Sequence, residues 1–178
     1  NVLDRHLPRL QNKPALIWEG DDGKSISLTY SQLSQQVNEL AAAMRAEGLG
    51  KGDRVGLYMP MVPEMVVAFL ATLKIGGVII PIFSGFGAQA LATRLQDAEA
   101  KLLFTADVGF RRGKTVEILP AALEAVGQVA SIKRVVVLQR GKIPLNPPFA
   151  KGETVEYPPL KKGGEGGFNI SWDDFIGP

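Results

Sequence analysis

A short cationic cluster at residues 110–114 is the part of the sequence best suited to binding chemistry. Arg111, Arg112 and Lys114 lie within four consecutive positions. Arginine forks match phosphate oxygens and lysine adds a compact positive charge, so the cluster would suit a polyphosphate ligand. We predict a loop between a strand and a helix, where the helix N-terminus would add backbone N–H donors. The alternative is a solvated surface loop, because a run of charge is weak evidence of a site.

The same segment is close to a P-loop but does not have its spacing. Residues 109–115 read G-x-x-x-G-K-T, with three residues between the glycines, whereas the nucleotide-binding motif has four. Arg111 and Arg112 also place bulky side chains where backbone amides should wrap the phosphate. The spacing therefore disfavours a P-loop nucleotide enzyme.

A second candidate is the loop that begins at Phe83 and contains Gly85, Phe86 and Gly87. A dinucleotide fingerprint needs a third glycine, and Ala90 stands in its place. One interpretation is a tight turn before a helix, which the glycines permit. The other is a surface where a flat ligand lies close to the backbone and stacks on an aromatic ring.

The sequence offers no catalytic constellation. It has no cysteine, which excludes a disulfide framework and a thiolate metal site. His6 is its only histidine and has no partner nearby in the sequence. We therefore predict no catalytic residue and no metal ligand in this chain.

Strand and helix patterns alternate after a predicted N-terminal β-hairpin at residues 15–30, so we predict an α/β fold with a parallel sheet. Continuous apolar runs such as 135–137 are typical of strands covered by helices on both faces. Ligands of such sheets bind beyond the carboxyl ends of the strands, where both candidate loops fall. The later predicted strands are 54–59, 78–82, 101–105 and 134–139, and the helices are 33–44, 62–74, 88–98 and 116–126.

The chain changes character after residue 140. Residues 141–169 are rich in Pro, Gly and Lys and have no apolar period, which predicts a low-complexity insert. Residues 170–178 then read as ordinary folded sequence. We predict one domain over 1–140, interrupted by the insert and resumed at 170.

Composition narrows the class of protein. The 178 residues have a net charge of +2, 46% hydrophobic and 21% charged residues, as in soluble globular proteins. The small net charge gives no case for a nucleic-acid or membrane partner. The longest apolar stretch, 59–73, contains two prolines and Glu64 and is too short to span a bilayer. No signal-peptide pattern is present at the start of the sequence, so we expect a cytoplasmic location.

Seven motifs stand in a characteristic order along residues 1–140, and together they resemble acetyl-CoA synthetase-type acyl-CoA synthetases, which are AMP-binding, adenylate-forming enzymes. The resemblance implies the N-terminal portion of such an enzyme, with a partial N-terminal subdomain of its fold: a mostly parallel sheet, helices on both faces and an N-terminal β-hairpin. The motifs are NVLDRH, ALIWEG, LTYSQL, GKGDRV, YMPMVPEM, FSGFGAQAL and TADVGFRRGK.

The resemblance also implies a reaction. The parent enzyme would use ATP and Mg²⁺ to convert acetate or another short carboxylic acid to an acyl-adenylate, releasing pyrophosphate. Coenzyme A would then displace AMP. Two positions depart from the commonest pattern, because Ser84 replaces a Gly or Ala and Arg112 replaces a small residue. The implied CoA-binding residues are Phe83, Ser84, Gly85, Arg111, Arg112 and Lys114.

The ATP loop, the adenine and acyl pockets and the catalytic lysine of these enzymes have no counterpart in this sequence. We therefore expect the isolated chain to be inactive as a ligase and to depend on the remainder of a synthetase chain. Its expected partners are small molecules, namely CoA, ATP and a short carboxylic acid. The main alternative is a non-catalytic CoA- or nucleotide-binding module, and a P-loop or Rossmann nucleotide enzyme fits the spacing less well.

Overall fold

The computed structural model describes residues 2–21, 23–141 and 169–177. A 3₁₀ turn, Asp4–His6, precedes the first helix. The helices are α1 (Leu7–Leu10), α2 (Tyr30–Ala46), α3 (Pro63–Lys74), α4 (Ala88–Asp97), α5 (Leu119–Val126) and α6 (Trp172–Ile176). The strands are β1 (Pro14–Glu19), β2 (Ser25–Thr29), β3 (Arg54–Tyr58), β4 (Val78–Pro81), β5 (Leu102–Ala106), β6 (Val108–Arg111), β7 (Lys114–Glu117), β8 (Arg134–Leu138) and β9 (Asn169–Ser171).

The centre of the fold is a five-stranded sheet in the order β4-β3-β5-β8-β9. Each neighbouring pair is parallel. The predicted α/β class with a mostly parallel sheet is therefore confirmed. Because the strands share one direction, their carboxyl ends meet along one edge of the sheet, and every loop that leaves a strand begins there.

The predicted N-terminal hairpin is present as the antiparallel pair β1–β2. Thr29 ends β2 and caps α2: its hydroxyl accepts from the Gln32 N–H, and the Gln32 side chain accepts from the Thr29 N–H. This reciprocal capping box satisfies two donors that a helix start leaves without partners, and it fixes the turn from strand to helix.

Helices cover both faces of the sheet and form two separate cores. On one face α2, α3 and α6 pack against alternate strand residues such as Phe104 and Val136. On the other face α4 and α5 pack against Leu103, Val135 and Val137. The alternation along β5 and β8 follows from the two-residue repeat of a strand. It explains why these strands read as continuous apolar runs in the sequence.

Helix α3 is less buried than its sequence predicts. Its composition indicates burial on nearly all sides, but Phe69 is 39% exposed and Leu73 is 50% exposed. Only the face containing Val67, Ala68 and Ala71 is fully packed. The prediction was wrong because an apolar composition does not show how many neighbours the fold supplies. Among the described residues no helix combines the length and apolar character needed to cross a membrane.

The segment after β5 also differs from its prediction. The sequence indicated a loop leading to a helix near residue 116, but the structure has an antiparallel hairpin, β6–β7, and α5 begins only at Leu119. The β-branched Thr115 and Val116 extend in β7 instead of starting a helix. The cationic cluster therefore lies at a hairpin tip, and the expected helix N-terminus does not adjoin it.

Residues 142–168, which hold nearly all of the predicted insert, lie outside the described residues. Beyond them β9 pairs with β8, and α6 places Trp172 and Phe175 against Phe104, with ring centroids 5.6 and 6.1 Å apart. Burying each of these rings contributes roughly 1.5–3 kcal/mol. Strand β9 thus belongs to the same sheet as β8, and α6 packs against that sheet, while the proposed division into domain and insert stays a prediction.

Candidate functional site

Both predicted site segments lie at the carboxyl edge of the sheet. Residues 82–87 follow β4, and the β6–β7 hairpin follows β5. Strand β3 runs between β4 and β5, so the ends of those two strands are about 10 Å apart at a strand spacing of about 4.8 Å. The structure therefore places the two segments on either side of the loop that leaves β3.

The Phe83 loop presents aromatic surface to solvent. Phe83 is 59% exposed and meets Phe86 edge-to-face, with 5.7 Å between ring centroids. The Arg94 guanidinium covers the other ring, 4.4 Å from the Phe86 centroid. Ser84 is half-buried. This arrangement leaves Phe83 as the ring that a flat ligand can reach.

Gly85 controls the position of that ring. A Cβ added to Gly85 would lie 2.5 Å from Cε1 of Phe83, a separation that two carbon atoms do not tolerate. The Phe83 ring can rest against the backbone only because this side chain is missing. The glycine thus permits a close approach of the Phe83 ring, while the close approach of a flat ligand, which the sequence suggested, stays a prediction.

Tyr58, at the end of β3, holds the Phe83 loop to the sheet. Its phenol O–H donates to the carbonyl oxygen of Phe86 over 2.6 Å, and the residue is only 1% exposed. Burial raises the pKa of the Tyr58 hydroxyl, because a phenolate would be poorly solvated there. The hydroxyl therefore remains a proton donor across the physiological range. Sequence analysis missed this residue.

The hairpin tip carries the predicted cations. Arg111 and Lys114 stand directly opposite each other across the hairpin, joined by a two-residue turn of Arg112 and Gly113. Both turn residues have left-handed backbone angles, φ +52° for Arg112 and +71° for Gly113. Two such residues in succession form the type I′ turn that matches the twist of a hairpin.

The three cations are exposed and have no acidic partner among the residues that the structure describes. Arg111, Arg112 and Lys114 form no ion pair or side-chain hydrogen bond with any residue in 2–21, 23–141 or 169–177. Like charges directly opposite each other destabilise a strand pair. The arrangement would be relieved by an anion at the tip.

One face of the hairpin turns towards the loop that leaves β3. Opposite residues in an antiparallel pair share a face, and so do residues two apart, so Arg111 and Lys114 lie on the face of Gly109. A Cβ on Gly109 would lie 3.7 Å from the Pro60 Cβ. The same Cβ would lie 3.1 Å from Cδ1 of Ile118, so this face of the hairpin packs between the loop that leaves β3 and the N-cap of α5.

Asp107 anchors the hairpin and was also missed by sequence analysis. Its carboxylate is fully buried and accepts from the N–H groups of Val108, Arg140 and Gly141, at 2.6, 2.7 and 2.9 Å. Its carbonyl oxygen accepts from the N–H groups that open α5. One residue thus ties both ends of the hairpin to the end of β8.

Arg140 adds a fourth cation beside the hairpin. Its guanidinium lies 5.0 Å from the centroid of the Phe110 ring, a distance at which the cation attracts the ring face. Phe110 is 46% exposed, so the stack covers one side of a ring that would otherwise face water. No sequence signal identified Arg140, because it follows an ordinary strand in a region already rich in charge.

The described residues contain no group of three or more His, Cys, Asp or Glu side chains arranged to hold a metal ion. They do fit an anionic aromatic ligand, because the exposed Phe83 ring and three cations without an acidic partner among the described residues lie at the same sheet edge.

Comparison with known families agrees with this architecture. Residues 3–165 match the family model described as AMP-binding enzyme. Because the match spans most of the chain, the chain belongs to the AMP-binding enzyme family. The predicted resemblance is confirmed.

Relatives within the family are acyl-CoA synthetases. The acetyl-coenzyme A synthetase of Sodalis glossinidius is 48% identical over 143 residues, covering 79% of this chain and 22% of the relative. The 3-hydroxypropionyl-coenzyme A synthetase of Metallosphaera sedula is 44% identical over 151 residues, covering 82% and 23%. The chain thus spans under a quarter of the length of these relatives.

A solved structure shows the same fold. The acetoacetyl-CoA synthetase from Streptomyces lividans superposes with a TM-score of 0.78 at 26% identity, covering 99% of this chain and 24% of that one. The described sheet, helices and edge loops therefore correspond to about a quarter of a larger enzyme chain.

Proposed function

We propose that this chain forms the coenzyme A nucleotide cradle of an AMP-forming acyl-CoA synthetase, an acid–thiol ligase of the cytoplasm. The enzyme would join a short carboxylic acid to coenzyme A through an acyl-adenylate, using ATP. The relatives named for acetyl, 3-hydroxypropionyl and acetoacetyl groups support a small acid as substrate.

The proposal is carried by the presence, at one sheet edge, of an exposed aromatic ring and of cations that have no acidic partner within residues 2–21, 23–141 and 169–177. The nucleotide end of coenzyme A combines a flat purine with a diphosphate and a phosphomonoester. Phe83, backed by Ser84 and Gly85, offers a surface for the purine, and Arg111 with Lys114 offers charge for phosphate. Arg112, at the turn, is close enough in sequence to share in that charge.

The residues divide the work between binding and orientation. Arg111 and Lys114 would neutralise phosphate, Phe83 would hold the purine, and Asp107 with Tyr58 would fix the two loops relative to the sheet. ATP supplies the adenylating chemistry and Mg²⁺ accompanies its phosphates. We assign no residue of this chain to either.

A second candidate is a binding module that recognises CoA or another nucleotide without catalysis. The unpaired hairpin cations favour it as much as they favour the ligase, because both need the same anion site. Neither proposal expects catalysis by this chain alone, so the two differ only in whether the rest of a synthetase accompanies it. AMP and thioester formation by this chain, supplied with ATP, Mg²⁺ and acetate, is expected to be absent. A Ser/Thr/Gly-rich ATP loop encoded after Pro178 in the same gene would support the ligase.

Calorimetric titration of the chain with CoA tests the cradle itself. We expect saturable binding that weakens as salt concentration rises, because exposed charges are screened. Pantetheine, which lacks the nucleotide, should not bind. Lys133→Ala removes an exposed charge from the opposite sheet edge and should leave the affinity unchanged. Failure of the wild-type chain to bind CoA, or equal binding of pantetheine, would contradict the proposal.

A further inference from the structure

We propose that Arg94 is a positioning residue of this site, which holds the aromatic ring of Phe83 in place through a stack on Phe86. The inference rests on the proposed CoA cradle and adds a residue of α4 to the two loops that form it. It is supported by the hydrogen bonds of Phe86, by the contacts of the Arg94 guanidinium and by the arrangement of the two rings.

Phe86 connects the Phe83 loop to the rest of the fold. Its N–H donates to the carbonyl oxygen of Phe83 over 3.0 Å, and its own carbonyl oxygen accepts from the buried Tyr58 hydroxyl over 2.6 Å. These bonds fix the backbone of the turn. Both phenylalanine side chains are exposed, so no close-packed core fixes their rings. The orientation of the rings depends on contacts between side chains at the surface.

Arg94 supplies such a contact from α4. The carbon at the centre of its guanidinium lies 4.4 Å from the centroid of the Phe86 ring, a distance at which a cation is attracted to the ring face. Its Nη1 also donates to the carbonyl oxygen of Ala90 over 2.8 Å, which ties the guanidinium to the preceding turn of the helix. In the part of the chain that the structure describes, Arg94 forms no ion pair, so no carboxylate draws the guanidinium away from the ring.

The effect of Arg94 reaches Phe83 through the pair of rings. Phe83 and Phe86 are perpendicular, with 5.7 Å between their centroids, and the attraction in such a pair depends on the orientation of both rings. Fixing one ring therefore restricts the other. Gly85 allows the Phe83 ring to approach the backbone, but it has no side chain to keep the ring there. A ring that is already ordered loses less conformational entropy when a purine stacks on it, so the stack should raise the affinity for CoA.

The test measures CoA binding by calorimetry for Arg94→Met, with Arg45→Met as the matched control. Both arginines are exposed and lie in the last turn of a helix, but Arg45 forms no cation–π contact with a described residue. Methionine removes the charge and keeps a high helix propensity. We expect Arg94→Met to bind CoA about threefold more weakly, since an exposed cation–π contact is weak, and Arg45→Met to bind as wild type does.

A double-mutant cycle with Phe86→Leu separates positioning from direct contact with the ligand. Phe86→Leu removes the ring and keeps both backbone hydrogen bonds of the turn. If Arg94 acts through this ring, adding Arg94→Met to Phe86→Leu causes no further loss of CoA affinity. A further loss of about threefold would show that Arg94 contacts the ligand itself, and it would overturn the proposal. Wild-type affinity in Arg94→Met would overturn it as well.

A second measurement needs no ligand. In a chain labelled with fluorophenylalanine, we expect the fluorine resonance of Phe83 to move in Arg94→Met and to keep its wild-type position in Arg45→Met. An unchanged Phe83 resonance in Arg94→Met would contradict the positioning role. Failure of the wild-type chain to bind CoA is a different result, because it would overturn the cradle itself and with it the role of Arg94 in binding, whatever the resonance shows.

Discussion

The charged side chains at the two edges of the parallel sheet differ in whether they form ion pairs among the described residues. At the amino edge, where strands begin, three cations are paired with acids. Arg54 meets Glu99 at 2.9 Å, Arg134 meets Glu47 at 2.8 Å, and Lys101 pairs with Asp53. At the carboxyl edge Arg111, Arg112 and Lys114 have no acidic partner among the described residues.

This difference distinguishes amino-edge charges that stabilise the fold from carboxyl-edge charges that are available to bind a ligand. The amino-edge pairs join neighbouring elements: the Arg54 guanidinium also donates to the carbonyl oxygens of Ala98 and Glu99. Partly exposed pairs of this kind contribute little each, but they leave no net charge behind. The carboxyl edge keeps its positive charge and its exposed Phe83. A fold optimised for stability alone would not retain that combination.

The largest expected effect tests how the carboxyl edge is held in place. Asp107→Ala would leave the buried N–H of Val108 and the partly buried N–H groups of Arg140 and Gly141 without their acceptor, so we expect the free energy of unfolding to fall by about 3 kcal/mol. Denaturant titration measures it. Asp107→Asn keeps one acceptor oxygen and should lose less. Asp97→Ala removes an exposed carboxylate and should change stability little. Equal losses of stability in Asp107→Ala and Asp97→Ala would argue against Asp107 as the residue that anchors the hairpin.

The next effect concerns the aromatic surface. Gly85→Ala forces the Phe83 ring away from the backbone, and since that ring is exposed it can move without disturbing the core. We expect CoA affinity to fall about tenfold with stability nearly unchanged. Gly87→Ala is the matched control, because a Cβ there meets nothing within 4 Å. Equal affinities of the two variants would remove Phe83 from the site.

A smaller effect, visible at high pH, belongs to Tyr58. Its folded-state pKa is raised by burial, so above the unfolded value of about 10 the unfolded chain loses a proton that the folded chain keeps. The free energy of unfolding should therefore fall as pH rises through that range. Tyr58→Phe cannot titrate, so its stability should fall less steeply there. At neutral pH it should be about 1 kcal/mol less stable than wild type. If the free energy of unfolding fell equally steeply with pH in wild type and in Tyr58→Phe, this account would be contradicted.

The smallest effect is expected at the amino edge. The hydrogen bond from Lys101 holds the pKa of the Asp53 carboxyl below its usual value. Its stabilising contribution is complete above the unfolded pKa of about 4 and is lost as pH falls through the lower folded value. Asp53→Asn should therefore reduce stability by at most about 1 kcal/mol at neutral pH. The deficit should shrink in acid, and CoA affinity should stay unchanged.

Much of the fold could be predicted because its signals are local. The apolar runs of β5 and β8, the capping box at Thr29 and the proline at the start of α3 act through neighbouring residues. The outward exposure of Phe69 could not be predicted, since it depends on which neighbours the fold supplies. The β6–β7 hairpin was read as a loop and a helix because the left-handed angles of Arg112 and Gly113 leave only a weak trace in the sequence.

The residues of the candidate site also fall into those that the sequence could predict and those that it could not. Its charged and aromatic members, Arg111, Lys114 and Phe83, could be proposed from residue type and from resemblance. The residues that orient them could not. A single carboxylate after a strand looks like a turn residue, and only the three-dimensional arrangement shows Asp107 accepting from Arg140 and Gly141, more than thirty positions away.

The most direct test of the central claim compares matched double variants at the two edges. Arg111→Ala with Lys114→Ala removes an arginine and a lysine that have no acidic partner in the described part of the chain. Arg54→Ala with Lys101→Ala removes a paired arginine and lysine. CoA affinity and the free energy of unfolding are measured for both. We predict that the first loses affinity by about 100-fold or more and keeps its stability. The second should lose about 1–2 kcal/mol of stability and keep its affinity. Equal affinity losses in the two variants, or a stability loss confined to the carboxyl-edge variant, would contradict the account.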